Sequence, residues 1–397
     1  MSPCLLPLRG AVRHYEWGGY EFIPGLLGLA NPEKRPFAEL WLGAHPSAPS
    51  LTADGSPLAA WIARAPDAFL GPAAARRFAG RLPYLLKVLE VRGMLSIQAH
   101  PDKRQAAAGF ARENAAGIPV DAAARNYRDD NHKPELHVAL TRLWMLHGFR
   151  PLAQVARVLE EVPELRALEP RAGTVRELYT TVMSMPQERV DAILNPLIAR
   201  LERENPADKD RPDFWALRAA REFPLPQGRR DRGLFSVYLL NLAHLAPGQG
   251  TFQPAGVLHA YLEGVTVELM ANSDNVLRGG LTPKHVDVAE LLRILSFEPC
   301  VPEVLEGTPV SACETVYRTT AEEFELSRIT LATGGPGFAA MARGPETWIA
   351  LEGSVEVTCG DERLPLARGQ SVFVRCGSAF RIEARDTAAT LFRASIP

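Results

Sequence analysis

Along Leu95-Ser96-Ile97-Gln98-Ala99-His100-Pro101, which follows Met94, apolar and polar side chains alternate one for one. A β-strand sends successive side chains to opposite faces, so Ser96, Gln98 and His100 share one face and Leu95, Ile97 and Ala99 the other. Short apolar runs bounded by Pro and Gly, such as Glu39-Leu40-Trp41-Leu42-Gly43 and Tyr84-Leu85-Leu86-Lys87-Val88-Leu89, predict further strands between Ala11 and about Arg150. An Ala-rich interruption from Leu58 to Phe78 predicts helix. From Pro151 to His244 the period changes: Val190, Ile193, Leu194, Leu197, Ile198 and Leu201 form one helical face. Thr174-x-x-Glu177 and Ser184-Met-Pro-Gln187 both have capping-box spacing, so each is expected to start a helix. Charged runs such as Glu202-Arg203-Glu204 and Asp208-Lys209-Asp210 read as solvated faces and turns.

Beyond the helical block the strand pattern returns with an internal echo. Leu245, Gly248, Gln249, Phe252, Gly256 and His259 are matched at constant offset by Leu366, Gly369, Gln370, Phe373, Gly377 and Phe380. A glycine turn followed by short strands suits a jelly-roll barrel, so a related barrel is expected twice. Only the first copy carries a histidine at its last position. The predicted class is mainly β with a helical insertion, as two barrels plus an α-helical domain. A discontinuous unit, 1–150 and 244–319, is expected to hold the chemistry, with the insertion at 151–243 and a metal-free barrel at 320–397.

Length adds a prior of two or three domains at roughly 150 residues each. With 46% hydrophobic and 23% charged residues and a net charge of -2, the chain reads as an ordinary globular protein without the basic footprint of a nucleic-acid binder. Cys4, Cys300, Cys313, Cys359 and Cys376 are odd in number and contain no C-x-x-C pair, so a reducing cytoplasm is expected. No secretory leader and no stretch approaching ~20 apolar residues is present, so neither export nor membrane insertion is expected. A monomer acting on a small molecule is the expectation.

Gln98, His100, Glu135 and His259 together offer a mixed N/O set suited to Zn²⁺, with Mn²⁺, Fe²⁺ or Co²⁺ also acceptable. With one anionic ligand the site keeps positive charge and an open position, the condition for Lewis-acid chemistry. The competing reading makes each His an ordinary hydrogen-bonded interior residue. His137 shares strand parity with Glu135 and could replace Gln98, giving a 2-His-1-carboxylate site of the iron-oxygenase kind. His45 and His147 read as structural. Lys87, Lys133, Arg278 and Lys284, with Ser96 as a neutral donor, point to a small phosphorylated metabolite. No G-x-x-x-x-G-K-[ST] loop supports a nucleotide. Glu268 sits in a strand-like run as a candidate buried base, Tyr261 follows His259 closely, and Asp274 lies in a polar loop suited to substrate binding.

The chain resembles the type I phosphomannose isomerases, zinc-dependent mannose-6-phosphate isomerases of the cupin superfamily. The resemblance rests on Tyr15-Glu16-Trp17-Gly18, Ala38 to Ser47, Leu82 to Lys87, Leu95 to Lys103, Asn131-His132-Lys133-Pro134-Glu135 and Arg278-Gly279-Gly280-Leu281-Thr282-Pro283-Lys284. It implies one zinc ion on Gln98, His100, Glu135 and His259, which demotes His137, and makes Arg278 an active-site residue. Glu16 stands where the family usually has Asp, and His285 where an aromatic or aliphatic residue is commoner. The implied reaction interconverts mannose 6-phosphate and fructose 6-phosphate through an enediol, linking glycolysis to GDP-mannose synthesis. Glu268 is the expected base, and Lys133 or His132 is expected to handle the proton or assist ring opening. Arg278, Lys284, Lys87 and Ser96 are expected to bind phosphate or developing charge, and Tyr261 and Asp274 to touch substrate. Two rivals stand beside this: another metal-dependent cupin enzyme, and a sugar-phosphate binding protein without catalysis.

Overall fold

The computed structural model describes residues 3–168 and 173–397. Its central sheet is antiparallel and built from strands whose alternation gives each of them two unlike faces. Tyr84–Val91 lies between Glu39–Gly43 and the long strand His259–Ala271, which pairs with Glu135–Ala139, and that strand with Gly250–Gln253. Cross-strand register sets Trp41, Lys87, Glu268, His137 and Thr251 in one row across these five strands. Their sequence neighbours Leu40, Leu86, Val88, Leu136, Val138, Val267 and Leu269 take the opposite face and share one apolar core. A slip of one residue would exchange the two faces, so burial of the apolar one fixes the polar one toward a cleft.

The register of His259–Ala271 shifts between Tyr261 and Glu263 where it pairs with Leu143–Phe149. At its start His259 lies opposite Gln98 of strand Ile97–Ala99, and Arg278 of strand Leu277–Gly280 lies opposite Gln98 on the other side. Ile97, Ala99, Ala260 and Leu277 point away from them into a core shared with Tyr179, Leu194, Ile198 and Trp215 of the helical segment. The helices thus cover the back of the strands that carry the site. Leu95 departs from the expected alternation: it precedes the strand and lines the cleft beside Ser96.

The helical segment comprises Leu152–Glu161, Val175–Ser184, Gln187–Glu204, Pro212–Glu222 and Leu234–Leu239, with a 3-10 turn at Pro163–Leu168. All six residues of the expected apolar face of Gln187–Glu204 are buried. At ~1.5–3 kcal/mol for each large side chain, that stripe is what seats the helix. Thr174 accepts the Glu177 N–H as its cap. Ser184 caps nothing: it ends the preceding helix, and Pro186, in extended conformation, precedes Gln187. The stretch from Leu58 to Phe78 is three short helices, broken where Pro66 and Pro72 restart the chain.

An eight-stranded and a four-stranded sheet form the C-terminal barrel. Its strands include Thr308–Pro309 and Glu314–Tyr317, and also Leu5–Arg9 from the start of the chain, which pairs with Ser371–Val374 and with Leu51–Thr52. The strands of the eight-stranded sheet therefore lie on both sides of the expected limit at 319/320, because hydrogen bonding groups them by partner rather than by order. Leu5 enters the C-terminal core while Leu6 and Leu8 enter the core of the central sheet, so one strand seals both. The echo has the same local geometry twice. Gly248 and Gly369 take φ of 88° and 82°, and the Gln249 and Gln370 side-chain oxygens accept the Ala246 and Ala367 N–H at 2.8 Å each. Where the first copy has His259, Phe380 packs on Trp348 at 4.6 Å between ring centroids. Among the described residues no helix is long and apolar enough to cross a membrane.

Candidate active site

His100 and His259 are buried, and each anchors its Nδ1 on a backbone carbonyl, Asn275 O at 2.8 Å and Val257 O at 3.0 Å. A carbonyl only accepts, so Nδ1 carries the hydrogen and Nε2 presents a bare lone pair. Both lone pairs aim at Glu135: His100 Nε2 is 3.3 Å from Oε1, and His259 Nε2 is 3.4 Å from Oε2. Burial lowers the His100 imidazole to about 4 despite Glu135, which keeps the ring neutral. Three acceptors converge in the dry interior, with only Lys133 Nζ near, 3.0 Å from Glu135 Oε1, an arrangement suited to hold a cation. Among the described residues, His100 Nε2, His259 Nε2 and Glu135 Oε2 have no hydrogen-bond partner. Their ligand atoms lie within 4.8 Å of one another. Gln98, cross-strand from His259 and lining the cleft, is placed to add an amide oxygen. Two imidazoles, a carboxylate and an amide fit zinc, and the backbone bonds at Nδ1 are the usual support of a metal-ligating histidine.

Beside this cluster lies the polar row. Lys87 Nζ is 2.7 Å from Glu268 Oε2, and His137 Nε2 is 3.1 Å from Glu268 Oε1 and 3.5 Å from Glu135 Oε2. Burial by itself would raise the Glu268 carboxyl, but Lys87 above all outweighs it and holds the group below the usual carboxylate range. Glu268 is thereby ionised and well placed, yet its pairing weakens it as a base. Burial pulls the Lys87 ammonium down, and Glu268 with Glu39 more than restores it, so it stays charged. Trp41 contributes its ring face, 5.0 Å from Lys87 Nζ.

The cleft in front of both clusters has a volume of about 1160 Å³. Arg278 and Lys284 line it, together with Arg128. None of these three makes an ion pair with a carboxylate among the described residues. Burial and then Arg128 lower Arg278, while burial and then Arg278 with Arg128 lower Lys284, the mark of cations crowded together for want of an anion. Lys133 reaches Glu135 Oε1 at 3.0 Å, and Ser96 also lines the cleft. Tyr261 is buried in the cleft wall with an unpartnered hydroxyl, its ring 4.1 Å from that of His137. Asp274 sits at the rim, 3.5 Å from His45 Nε2, so His45 borders the cleft rather than the core.

His132, expected as an alternative to Lys133 for handling the proton, is not brought to the cleft. Its Nε2 pairs with Glu323 Oε1 of the C-terminal barrel at 2.7 Å, and it does not line the cleft. His137, weighed as a ligand in place of Gln98, points at Glu268 and Glu135 instead. Arg128 was not legible in sequence. It lies in the charged run Arg125-Asn126-Tyr127-Arg128-Asp129-Asp130, which looks like a solvated turn, and is fixed by the Asn275 side chain accepting its backbone N–H at 2.7 Å. The same Asn275 lends its carbonyl to His100, a double use that no local pattern reveals.

Residues 5–152 match the family profile of the phosphomannose isomerase type I catalytic domain. The mannose-6-phosphate isomerase of Salmonella typhimurium is 38% identical over 378 residues, 92% of this chain and 94% of the relative. That of Escherichia coli is 37% identical over 379 residues, with the same shares of 92% and 94%. A crystal structure of the Salmonella typhimurium enzyme bound to its substrate fructose 6-phosphate and zinc is 35% identical, superposes with a TM-score of 0.88, and covers 99% of this chain and 100% of that one. On the strength of this full-length likeness, and of a histidine–carboxylate cluster that fits a metal beside unpaired cations, the chain belongs to the type I mannose-6-phosphate isomerase family.

Proposed function

We propose that this protein interconverts mannose 6-phosphate and fructose 6-phosphate, with one zinc ion on Gln98, His100, Glu135 and His259. The observation that carries the reading is the juxtaposition, in one cleft, of converging histidine and carboxylate lone pairs with Arg278, Arg128 and Lys284, which make no ion pair among the described residues. Bound there, zinc supplies a Lewis acid to the sugar oxygens that gain charge as a proton moves between C1 and C2. Arg278, Arg128 and Lys284 take the phosphate, Arg as a fork and Lys as a point charge. Lys133 and Lys87 stand nearer the carboxylates and stabilise charge that develops on oxygen. Ser96, Tyr261 and Asp274 contact the sugar. Glu268 carries the proton, and Lys87 sets how strongly it attracts one.

In this reading the helical segment is the cover of the zinc-binding barrel. The C-terminal barrel, with Phe380 in place of a histidine, binds no metal. All five cysteines are free, which suits the cytoplasm, and a monomer contains the whole site.

The test is a coupled assay of purified protein with mannose 6-phosphate, following fructose 6-phosphate before chelation, after it, and after zinc is restored. Turnover lost with chelator and recovered with zinc supports the reading. No turnover by folded, zinc-loaded protein would sink it.

A further inference from the structure

We infer that Asp231, from the helical segment, is a positioning residue for the phosphate: its buried carboxylate holds the backbone between Arg278 and Lys284 so that both cations face the cleft. This rests on the isomerase reading and extends it to a residue outside the cleft.

Three observations carry it. First, Asp231 is only 8% exposed, and its charge serves backbone rather than a cation. Its Oδ1 accepts the Gly233 N–H at 2.7 Å, and Gly233 packs so tightly on the end of strand Leu277–Gly280 that a Cβ on Gly233 would lie 2.8 Å from Leu281 N. Second, the segment it grips is not relaxed. Leu281 is fully buried with φ of 53°, a region that side chains other than glycine rarely adopt. Such a conformation persists only where its surroundings over-determine it. Third, the grip is close. Gly280 has φ of 116°, and a Cβ there would lie 2.6 Å from Asp231 Oδ1 and 2.6 Å from Gly233 Cα.

The pairing of Leu277–Gly280 with Ile97–Ala99 shifts register between Arg278 and Gly280. Strand pairing therefore fixes Arg278 from one side only. The backbone beyond Gly280 must be held otherwise, and the turn from Asp231 to Gly233, packed against Gly280 and Leu281, is placed to do so. The helical segment thereby sets the spacing of two phosphate ligands without touching substrate.

The test is Asp231→Asn, which keeps the shape but removes the charge that accepts the Gly233 N–H beside Gly280. The KM for mannose 6-phosphate should rise about 10-fold or more, on the scale of one lost charge-assisted hydrogen bond. Competitive inhibition by inorganic phosphate should weaken by the same factor. kcat should fall far less than KM rises, and zinc content should stay at one per chain. A role in stability alone would move none of these ratios, so unchanged KM and phosphate inhibition in folded variant overturns the inference. Should Asp231→Asn fail to fold, Asp231→Ser, which removes the charge and shortens the reach toward Gly280 without adding bulk, must give the same split. Should the wild type bind inorganic phosphate by calorimetry without isomerising sugar, the isomerase reading fails. Comparison of phosphate affinity between wild type and variant still decides the role of Asp231.

Discussion

Replacing Lys87 with Met keeps the side-chain length and removes the ammonium 2.7 Å from Glu268 Oε2. Both side chains are almost wholly enclosed, at 6% and 5% exposure. Removing one partner of a buried pair costs about 3–5 kcal/mol, because the other charge is left desolvated and uncompensated. Here His137 Nε2 remains 3.1 Å from Glu268 Oε1, so the carboxylate keeps one partner and the lower end, about 3 kcal/mol, is expected. The double variant Lys87→Met/Glu268→Gln carries neither charge and should be more stable than Lys87→Met alone by ~1–3 kcal/mol, the penalty of an unsatisfied buried group. Urea unfolding of the four zinc-loaded proteins of this cycle measures the coupling. With a slope of ~3 kcal/mol per molar, the single variant should unfold about 1 M earlier than wild type. Strictly additive losses would refute the reasoning, since the two groups would then not sense each other.

Glu135→Gln removes the one anionic ligand and should weaken zinc binding by at least ~100-fold in chelator competition, more than outer-shell changes achieve; stoichiometric zinc retained against chelator would count against the site. Glu268→Gln should lower turnover at least ~100-fold with zinc in place, and near-normal kcat would remove Glu268 from proton transfer. Arg128→Ala should raise the KM for mannose 6-phosphate about 10-fold with little change in kcat, as loss of binding made equally in ground and transition states does; unchanged KM would take Arg128 out of the phosphate site. Burial would raise the Glu290 carboxyl, but Arg293, Tyr127 and Arg112 outweigh it and hold it at about 2, against 4.5 ordinarily. Because the folded value is the lower one, its stabilisation is complete above pH 4.5 and drains away as pH falls toward about 2. The melting-temperature gap between wild type and Glu290→Gln should therefore be constant above pH 4.5 and shrink below it; a gap that widens on acidification would contradict the assignment.

Local periodicity disclosed which face each residue takes, and little about which partner faces it. The alternation through Gln98 and His100, the apolar stripe from Val190 to Leu201 and the repeated glycine turn at Gly248 and Gly369 all depend on spacing within a few residues, and the structure shows each of them. The metal candidates were legible because their residue types are informative wherever they occur. Arg128, Asp231 and the pairing of His132 with Glu323 were not, since each draws its meaning from a residue far along the chain. A surface arginine and an arginine aimed into an anion pocket have the same neighbours in sequence. Between Leu58 and Phe78 two local signals compete: Ala-rich composition favours one helix, whereas the ring-locked Pro66 and Pro72 divide it into three.

The pairing of Leu5–Arg9 with Ser371–Val374 bears on the order in which the molecule is made. As the chain leaves the ribosome, Leu5–Arg9 meets Leu51–Thr52 early on one edge, but its other edge has no partner until nearly all the rest has emerged. Leu5, Leu6 and Leu8 must wait with their apolar faces open. Contacts between distant residues form late and slowly, and an unpaired strand edge in the meantime invites pairing with another molecule. Deleting this strand would leave Ser371–Val374 as a permanent open edge, so a shortened chain should be lost to aggregation during synthesis before any effect on the distant cleft is felt.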